Sequence, residues 1–386
     1  MSKLDELIAE LCPNGVEYKK LKEVASVSIG EFVHKNKQNP NGVYPVYNGG
    51  TSNTGFYDEF NRTANKIIIS ARGANAGFVN RVFVDFWAGN SCYTISVEEK
   101  YLDWNFTYYV LKSSENNLIN QQQKGGIPAV SKKQLEEFYI PVPPLPVQQE
   151  IVRILDTFTE LNIELNAELE ARRKQYEYYR NLLLTFDDAR KKRLNIKWMR
   201  LGEIGRISMC KRIMKVQTTP EGEVPFYKIG TFGGIPDAYI SKELYEEYKS
   251  KYPFPKKGDV LISASGTIGR TVIYDGKPAY FQDSNIIWVD NDEKIVLNKY
   301  LYYYYQLQPW KVSTGGVIKR LYNYNLEQTV IAVPPLEEQQ RIVNILDRFD
   351  TLINDPITGI LAEIEAREKQ FKYYLNKLLD FKEVSS

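Results

Sequence analysis

One histidine, His34, and three cysteines, Cys12, Cys92 and Cys210, are all that 386 residues supply of the side chains most used for acid–base chemistry, metal binding and disulfides. The cysteines are far apart and form no C-x-x-C pair, so neither a disulfide framework nor a zinc site is indicated. With one histidine, in a stretch that reads as an ordinary loop, the usual general base is missing from nearly the whole chain. There is no G-x-x-x-x-G-K-[ST] phosphate loop, no G-x-S-x-G elbow and no dinucleotide fingerprint. An Asn-Pro-Pro-aromatic stretch, which amino-methyltransferases use to hold a flipped base, is absent too. No run of about 18 apolar residues occurs, and the opening MSKLDELIAELCPNG is amphipathic without a cleavage signal. The expectation is a soluble, cytoplasmic protein with reduced thiols and no catalytic group of its own.

What is present is an ordinary globular composition, 43% hydrophobic and 25% charged, over a length that suits two domains or more. Net charge is only +2, but residues 187–330 carry 23 basic and 16 acidic side chains, a net of +7. That asymmetry suits an anionic partner touching this middle stretch.

The strongest signal is a repeat. "IPVPPLPVQQEIVRILDTF" (140–158) returns as "IAVPPLEEQQRIVNILDRF" (331–349), with 13 of 19 positions identical. From Ile151, steps of four and three select Leu155, Phe158, Asn162, Leu165, Leu169, Arg172, Tyr176, Tyr179, Leu183 and Phe186, a heptad seam. The second copy runs through Ile342, Leu346, Phe349 and Ile353, then after four extra residues through Ile360, Ile364, Arg367, Phe371, Tyr374, Leu378 and Phe381. The extra residues lie in Asn354–Gly359, where Asp355 suits a cap and Pro356 a first turn, predicting a short helix, a break and a long helix. By analogy the first long helix is expected from near Thr159 to near Phe186. Two matching seams favour an intramolecular coiled coil over two unrelated core helices.

The stretches between also match faintly: "YPVYNGG" (44–50) with "VPFYKIG" (224–230), and "KIIISARGANAG" (66–77) with "DVLISASGTIG" (259–269). Each mixes apolar β-type runs with an aromatic helical segment (102–112 and 297–307), then reaches a Gly-Gly turn. The helices stay nearly identical while the lobes drift, which implies one task done twice by the helices and two different tasks done by the lobes. Polar side chains on the glycine-rich turns are candidates for reading base edges or phosphates: Asn48, Thr51, Ser52 and Asn53; Arg72 and Asn75; Lys228; Ser263, Ser265 and Thr267. Lys124, at the first Gly-Gly turn, joins them, and so does the basic run Arg190, Lys191, Lys192 and Arg193. A plain turn, or a solvated linker, is the alternative for each. The tyrosines at 302–305 read as core and amphipathic surface.

"PPLPVQQEIVRILD" and "PPLEEQQRIVNILD", each opening a long helix after a lobe with an "ISARG" or "ISASG" turn, make the chain resemble the specificity subunit of type I restriction-modification systems over essentially its whole length. The resemblance implies a mixed α/β (α+β) fold: two target recognition domains separated by two long antiparallel coiled-coil helices, in a pseudo-twofold repeat. The expected divisions are a helical piece at 1–20 completing the C-terminal helix region, recognition domains at 21–139 and 198–330, and helical repeats at 140–197 and 331–386. It further implies a non-catalytic subunit whose lobes each read half of a bipartite site in double-stranded DNA, while the helices set the spacing and dock two modification subunits. S-adenosylmethionine would enter with those subunits, and ATP and magnesium with restriction subunits. Arg270, Lys319 and Arg320 join the candidate DNA contacts on this reading. The alternatives are an assembly scaffold that reads no DNA, separable by a salt-dependent DNA shift, and an orphan methyltransferase, separable by S-adenosylmethionine binding to the isolated chain.

Overall fold

The computed structural model describes residues 2–120, 127–312 and 320–384, with the backbone alone at Arg190. The chain divides into two compact units, residues 1–166 with 363–386, and residues 167–362.

The first unit opens with α1 (Lys3–Leu11), started by a capping box in which Ser2 and Asp5 satisfy each other's amides. β1 (Tyr18–Lys20) and α2 (Leu21–Val24) lead into a lobe of β2 (Ala25–Ile29), β3 (Tyr44–Tyr47), β4 (Gly55–Tyr57), β5 (Lys66–Ser70), β6 (Val79–Val82), β7 (Trp87–Ala88) and β8 (Cys92–Val97). α3 (Trp104–Ser113), α4 (Glu115–Asn120), α5 (Lys132–Glu136) and β9 (Tyr139–Pro141) follow. The strands form an antiparallel sheet ordered β2-β8-β5-β6 and a second sheet ordered β4-β3-β7, whose β3–β7 pair is parallel. β5 reads as an unbroken apolar run because both its faces are covered. Ile67 and Ile69 join the core with α3, whereas Ile68 packs with Phe86 and Cys92 beneath the smaller sheet.

α6 (Leu145–Leu184) then runs for 40 residues without interruption. This corrects the expected start near Thr159. Between Val147 and Leu184 there is no proline or glycine, and Pro146 sits in the first turn, where its missing N–H costs no internal bond.

The second unit repeats the plan. α7 (Asp188–Leu194), β10 (Lys197–Arg200) and α8 (Leu201–Ile204) precede β11 (Arg206–Ser208), β12 (Val224–Tyr227), β13 (Tyr239–Ile240), α9 (Lys242–Lys251), β14 (Val260–Ser263), β15 (Thr271–Ile273), β16 (Tyr280–Phe281) and β17 (Ile286–Asp290). α10 (Asn298–Tyr305), α11 (Asn323–Glu327) and β18 (Val330–Val333) complete the lobe. Sheet orders are β11-β17-β14-β15 and β13-β12-β16, again with one parallel pair, β12–β16. β14 splits its faces as β5 does, Val260 and Ile262 toward one core and Leu261 toward the other. Only α9 has no counterpart among the described elements of the first lobe.

α12 (Leu336–Asn354) and α13 (Ile360–Leu378) are separated by the expected break. Asp355 caps a turn there rather than a helix: its Oδ1 accepts from the amides of Ile357 and Thr358 at 3.0 and 2.7 Å and from the Thr358 hydroxyl at 2.9 Å. Those bonds hold its carboxyl below the usual carboxylate range.

In each unit the first turns of one long helix share a core with the last turns of the other. Val147, Ile151 and Leu155 pack with Leu375 and Leu379 in the first unit, and Ile342, Val343 and Leu346 with Leu183 and Leu184 in the second. Among the seam residues, Leu169, Leu183, Ile360 and Ile364 are buried, and Leu165, Tyr176, Phe371, Tyr374 and Leu378 half-buried. Tyr179 is 36% exposed but stacks on Phe349, as Phe158 stacks on Tyr374. The N-terminal piece meets the C-terminal end, with Val16 N–H donating to the Lys382 carbonyl at 2.8 Å and Val384 N–H to the Val16 carbonyl at 3.2 Å. Lobes and helical segments, separate along the chain, therefore share a core in each unit.

Candidate nucleic-acid interface

Five connections converge at one end of the first lobe. The loop after β3 lies against the turn after β5: a Cβ on Gly49 would sit 2.4 Å from the Arg72 carbonyl oxygen, and Ser70 Oγ donates to the Gly50 carbonyl at 2.9 Å. The segment between β7 and β8 joins both, Gly89 N–H donating to Tyr47 O and Ala71 N–H to Ser91 O, each at 2.8 Å. From the segment before α5, Val130 N–H reaches Ala71 O at 3.0 Å, while Gly73 N–H donates to Pro128 O at 2.9 Å. The loop after β2 closes the group through the Gly30 and Glu31 amides, bonded to the carbonyls of Cys92 and Ala88.

The second lobe repeats three of these bonds at the corresponding positions. Gln282 N–H donates to Tyr227 O at 3.0 Å, Ala264 N–H to Asn285 O at 2.7 Å, and Leu321 N–H to Ala264 O at 2.8 Å. The turn after β14 needs positive φ at Gly266 (64°) and Gly269 (84°), as the turn after β5 does at Gly73 (92°) and Gly77 (93°). The faint "ISARGANAG"/"ISASGTIG" match is thus a match of backbone.

These bonds sort the candidate residues. Thr51, Ser52, Arg72, Asn75 and Thr267 are exposed. Asn48 donates to Thr54 Oγ1 at 3.0 Å and Asn53 to the Gly55 carbonyl at 3.3 Å, so both brace their own loop. Lys228 pairs with Asp237 at 2.8 Å, and Arg270 Nη1 donates to the Phe232 carbonyl at 2.8 Å. Ser265 Oγ is 2.8 Å from Asn285 Oδ1, and Arg320 Nη2 donates to the Ser284 carbonyl at 2.7 Å. Ser263 is buried, its hydroxyl donating to Thr267 O and accepting from Arg270 N–H, which leaves it a turn-former. Lys124 and Lys319 lie outside the described residues. Arg190, Lys191, Lys192 and Arg193 fall on α7 rather than in a linker; Lys191 pairs with Asp188 at 3.0 Å and lies over Trp198, while Lys192 and Arg193 are exposed.

The loop after β2, with exposed Lys35 and Lys37, and its counterpart after β11, with Lys211, Arg212 and Lys215, also belong to this end. Arg212 Nε reaches Asp283 Oδ2 at 2.9 Å, and Arg212, Lys215, Lys228, Gln282 and Asn285 line a groove of about 560 Å³. Sequence reading missed this loop; its signal was a pair of basic clusters, 35–37 and 211–215, at matching places in the repeat. Burial pushes the Cys92 and Cys210 thiols up to about 12 and raises Cys12, so none is a ready nucleophile. Among the described residues no group of three or more His, Cys, Asp or Glu is placed to hold a metal ion.

A sequence profile described as the type I restriction modification DNA specificity domain matches twice, at residues 13–172 and 195–366. The chain belongs to the type I restriction-modification specificity subunit family. A candidate specificity subunit of Haemophilus influenzae is 46% identical over 379 residues, covering 95% of this chain and 96% of its own length. The EcoR124I/EcoR124II specificity subunit of Escherichia coli is 32% identical over 250 residues, 61% of this chain and 60% of that one. The crystal structure of the type I S subunit from M. genitalium superposes with a TM-score of 0.62 at 21% identity, covering 95% and 96% of the two chains. This specificity subunit is thus the DNA-recognition component of a type I system, and no described helix is long and apolar enough to cross a membrane.

Proposed function

We propose that each lobe of this specificity subunit reads one half of a bipartite duplex site with its convergent end. The two helical repeats then set the spacing and dock two identical modification subunits. The observation carrying this reading is that four of the five connections meet in both lobes on matching backbone bonds while the side chains they present differ. Equal frames with unequal surfaces suit two half-sites of unrelated sequence, and near-identical helices suit one partner bound twice. The subunit itself carries no catalytic group; its modification partners bring S-adenosylmethionine, and restriction partners bring ATP-driven chemistry.

The test is exchange of residues 21–139 for the matching lobe of a relative, followed by genome-wide mapping of methylated adenine in cells carrying the modification subunit. One half of the methylated motif is expected to change and the other to stay. A change in both halves, or in neither, would count against separate reading.

A further inference from the structure

The motif shared by both helical repeats contains two glutamines, and the first is fully buried in each copy: Gln148 and Gln339 both have 0% exposure. The second, Gln149 or Gln340, faces solvent. Gln148 Oε1 accepts from the Asp103 amide at 2.8 Å, while its Nε2 donates to the carbonyls of Tyr101 at 2.8 Å and Pro143 at 2.6 Å. Gln339 repeats the arrangement, accepting from the Leu297 amide at 2.9 Å and donating to the carbonyls of Ile295 at 2.9 Å and Pro334 at 2.8 Å. Every partner is a backbone atom. One carboxamide therefore ties the start of the long helix to the entry of α3 or α10 without regard to lobe side chains, as lobes of unrelated sequence require.

A second anchor lies eight residues on, about 12 Å along the helix. Asp156 accepts from the Tyr109 hydroxyl at 2.6 Å and pairs with Arg81 at 2.9 Å. Its counterpart Asp347 accepts from the Tyr303 hydroxyl and pairs with Lys299 at 2.7 Å. The tyrosine stands in the same place on α3 and α10, six residues past the amide held by the glutamine. One attachment is a pivot; two attachments separated along a rigid helix also stop rotation.

We infer that Gln148 with Asp156, and Gln339 with Asp347, are positioning residues that fix the attitude of each DNA-reading lobe on its helix, and through it the spacing at which half-sites are read. This rests on the function proposed above. Loosening either pair lets that lobe tilt, so spacings one base pair off the preferred one become readable while the bases read stay the same.

The experiment uses the full subunit assembled with its modification subunit and duplexes carrying both half-sites at the preferred spacer and at spacers one pair shorter and longer. The variants are Q148M, D156N, Q339M and D347N; the aspartate substitutions keep shape and guard against loss of folding in the glutamine ones. For D156N and D347N the preference for the native spacer over its neighbours is expected to fall about tenfold, the size of one lost charge-assisted, half-buried contact. D156E, which restores the charge, is expected to recover part of it. A variant that lowers thermal stability or total rate but keeps the wild-type spacer preference would show an anchor that stabilises and does not position, overturning the inference. Failure of the wild-type complex to methylate any bipartite site would overturn the proposed function instead.

Discussion

The two lobes differ most where they are framed alike. An isolated antiparallel bridge closes the convergent end of each, Arg72 opposite Ala129 in the first and Ser265 opposite Arg320 in the second. An arginine is present both times, but it has crossed from the turn to the facing segment. Next to it Asn48 is replaced by Lys228 and Phe78 by Arg270, at points where Gly77 N–H to Ser70 O and Gly269 N–H to Ser263 O hold the same turn. Backbone bonds do not depend on which side chains hang outside them, so the frame survives while its outward face is rewritten. The helical motif behaves in the opposite way: in both copies its buried glutamine faces backbone, its aspartate a tyrosine hydroxyl and its apolar positions the core, and these are the residues that repeat.

The deepest cut tests whether the units are independent. Leu155 and its counterpart Leu346 are both fully buried, and truncation of either to alanine is expected to cost about 2–5 kcal/mol. Hydrogen exchange should show lost protection in the first unit for L155A and in the second for L346A; equal losses in both would mean that they unfold together.

The bridge arginines come next. R72A is expected to relax base preference at one position of one half-site by about 1–3 kcal/mol, the worth of a bidentate arginine contact, and R320A to do so in the other half. Competition binding of the assembled complex to single-base variants reads this directly. An effect of both substitutions on the same half would sink the comparison.

A smaller and less selective loss is expected from K35A and K215A, exposed at matching places on the loops after β2 and β11. Each should weaken binding evenly across sequences and reduce the slope of log affinity against log salt by about 0.9. A change in base preference would instead make these lysines readers of sequence.

The smallest effect concerns a difference between the repeats. Glu150, where the second copy has Arg341, is held down to about 2 from 4.5 by Arg153 and Lys3. A lowered carboxyl contributes stability that is complete above its unfolded value near 4.5 and is lost as pH falls through 2. The E150Q subunit is therefore expected to be less stable than wild type at neutral pH, with the gap closing from pH 4.5 downward in denaturant titrations. A gap that stays constant with pH would locate the contribution in packing rather than charge.

Much of this was legible in the chain itself. The seam from Ile151 to Phe186, the break at Asp355 and the strand runs at Ile67 and Val260 follow from periodicity and turn chemistry, which are local. The continuity of α6 is not legible from the repeat, because the second copy is broken at 355–359 whereas the first has no proline or glycine between Val147 and Leu184 to break it. Gln148 looked like any polar residue of a helix start, since nothing in its neighbourhood marks the distant carbonyl of Tyr101 as its partner. Whether a polar residue on a glycine-rich turn is free or used within the turn is not legible locally: Arg72 stands exposed, whereas Ser263 is buried and bonded inside its turn.

Sequence alone determined the repeat, the helical seam, the family resemblance and the absence of catalytic motifs, because each depends on residue identity and spacing along the chain. Tertiary structure decided which of two adjacent glutamines is a clamp, which loops meet and on which side of a bridge the arginine stands. Those outcomes depend on atoms brought together across tens of residues, by burial and hydrogen bonding that leave no periodic trace.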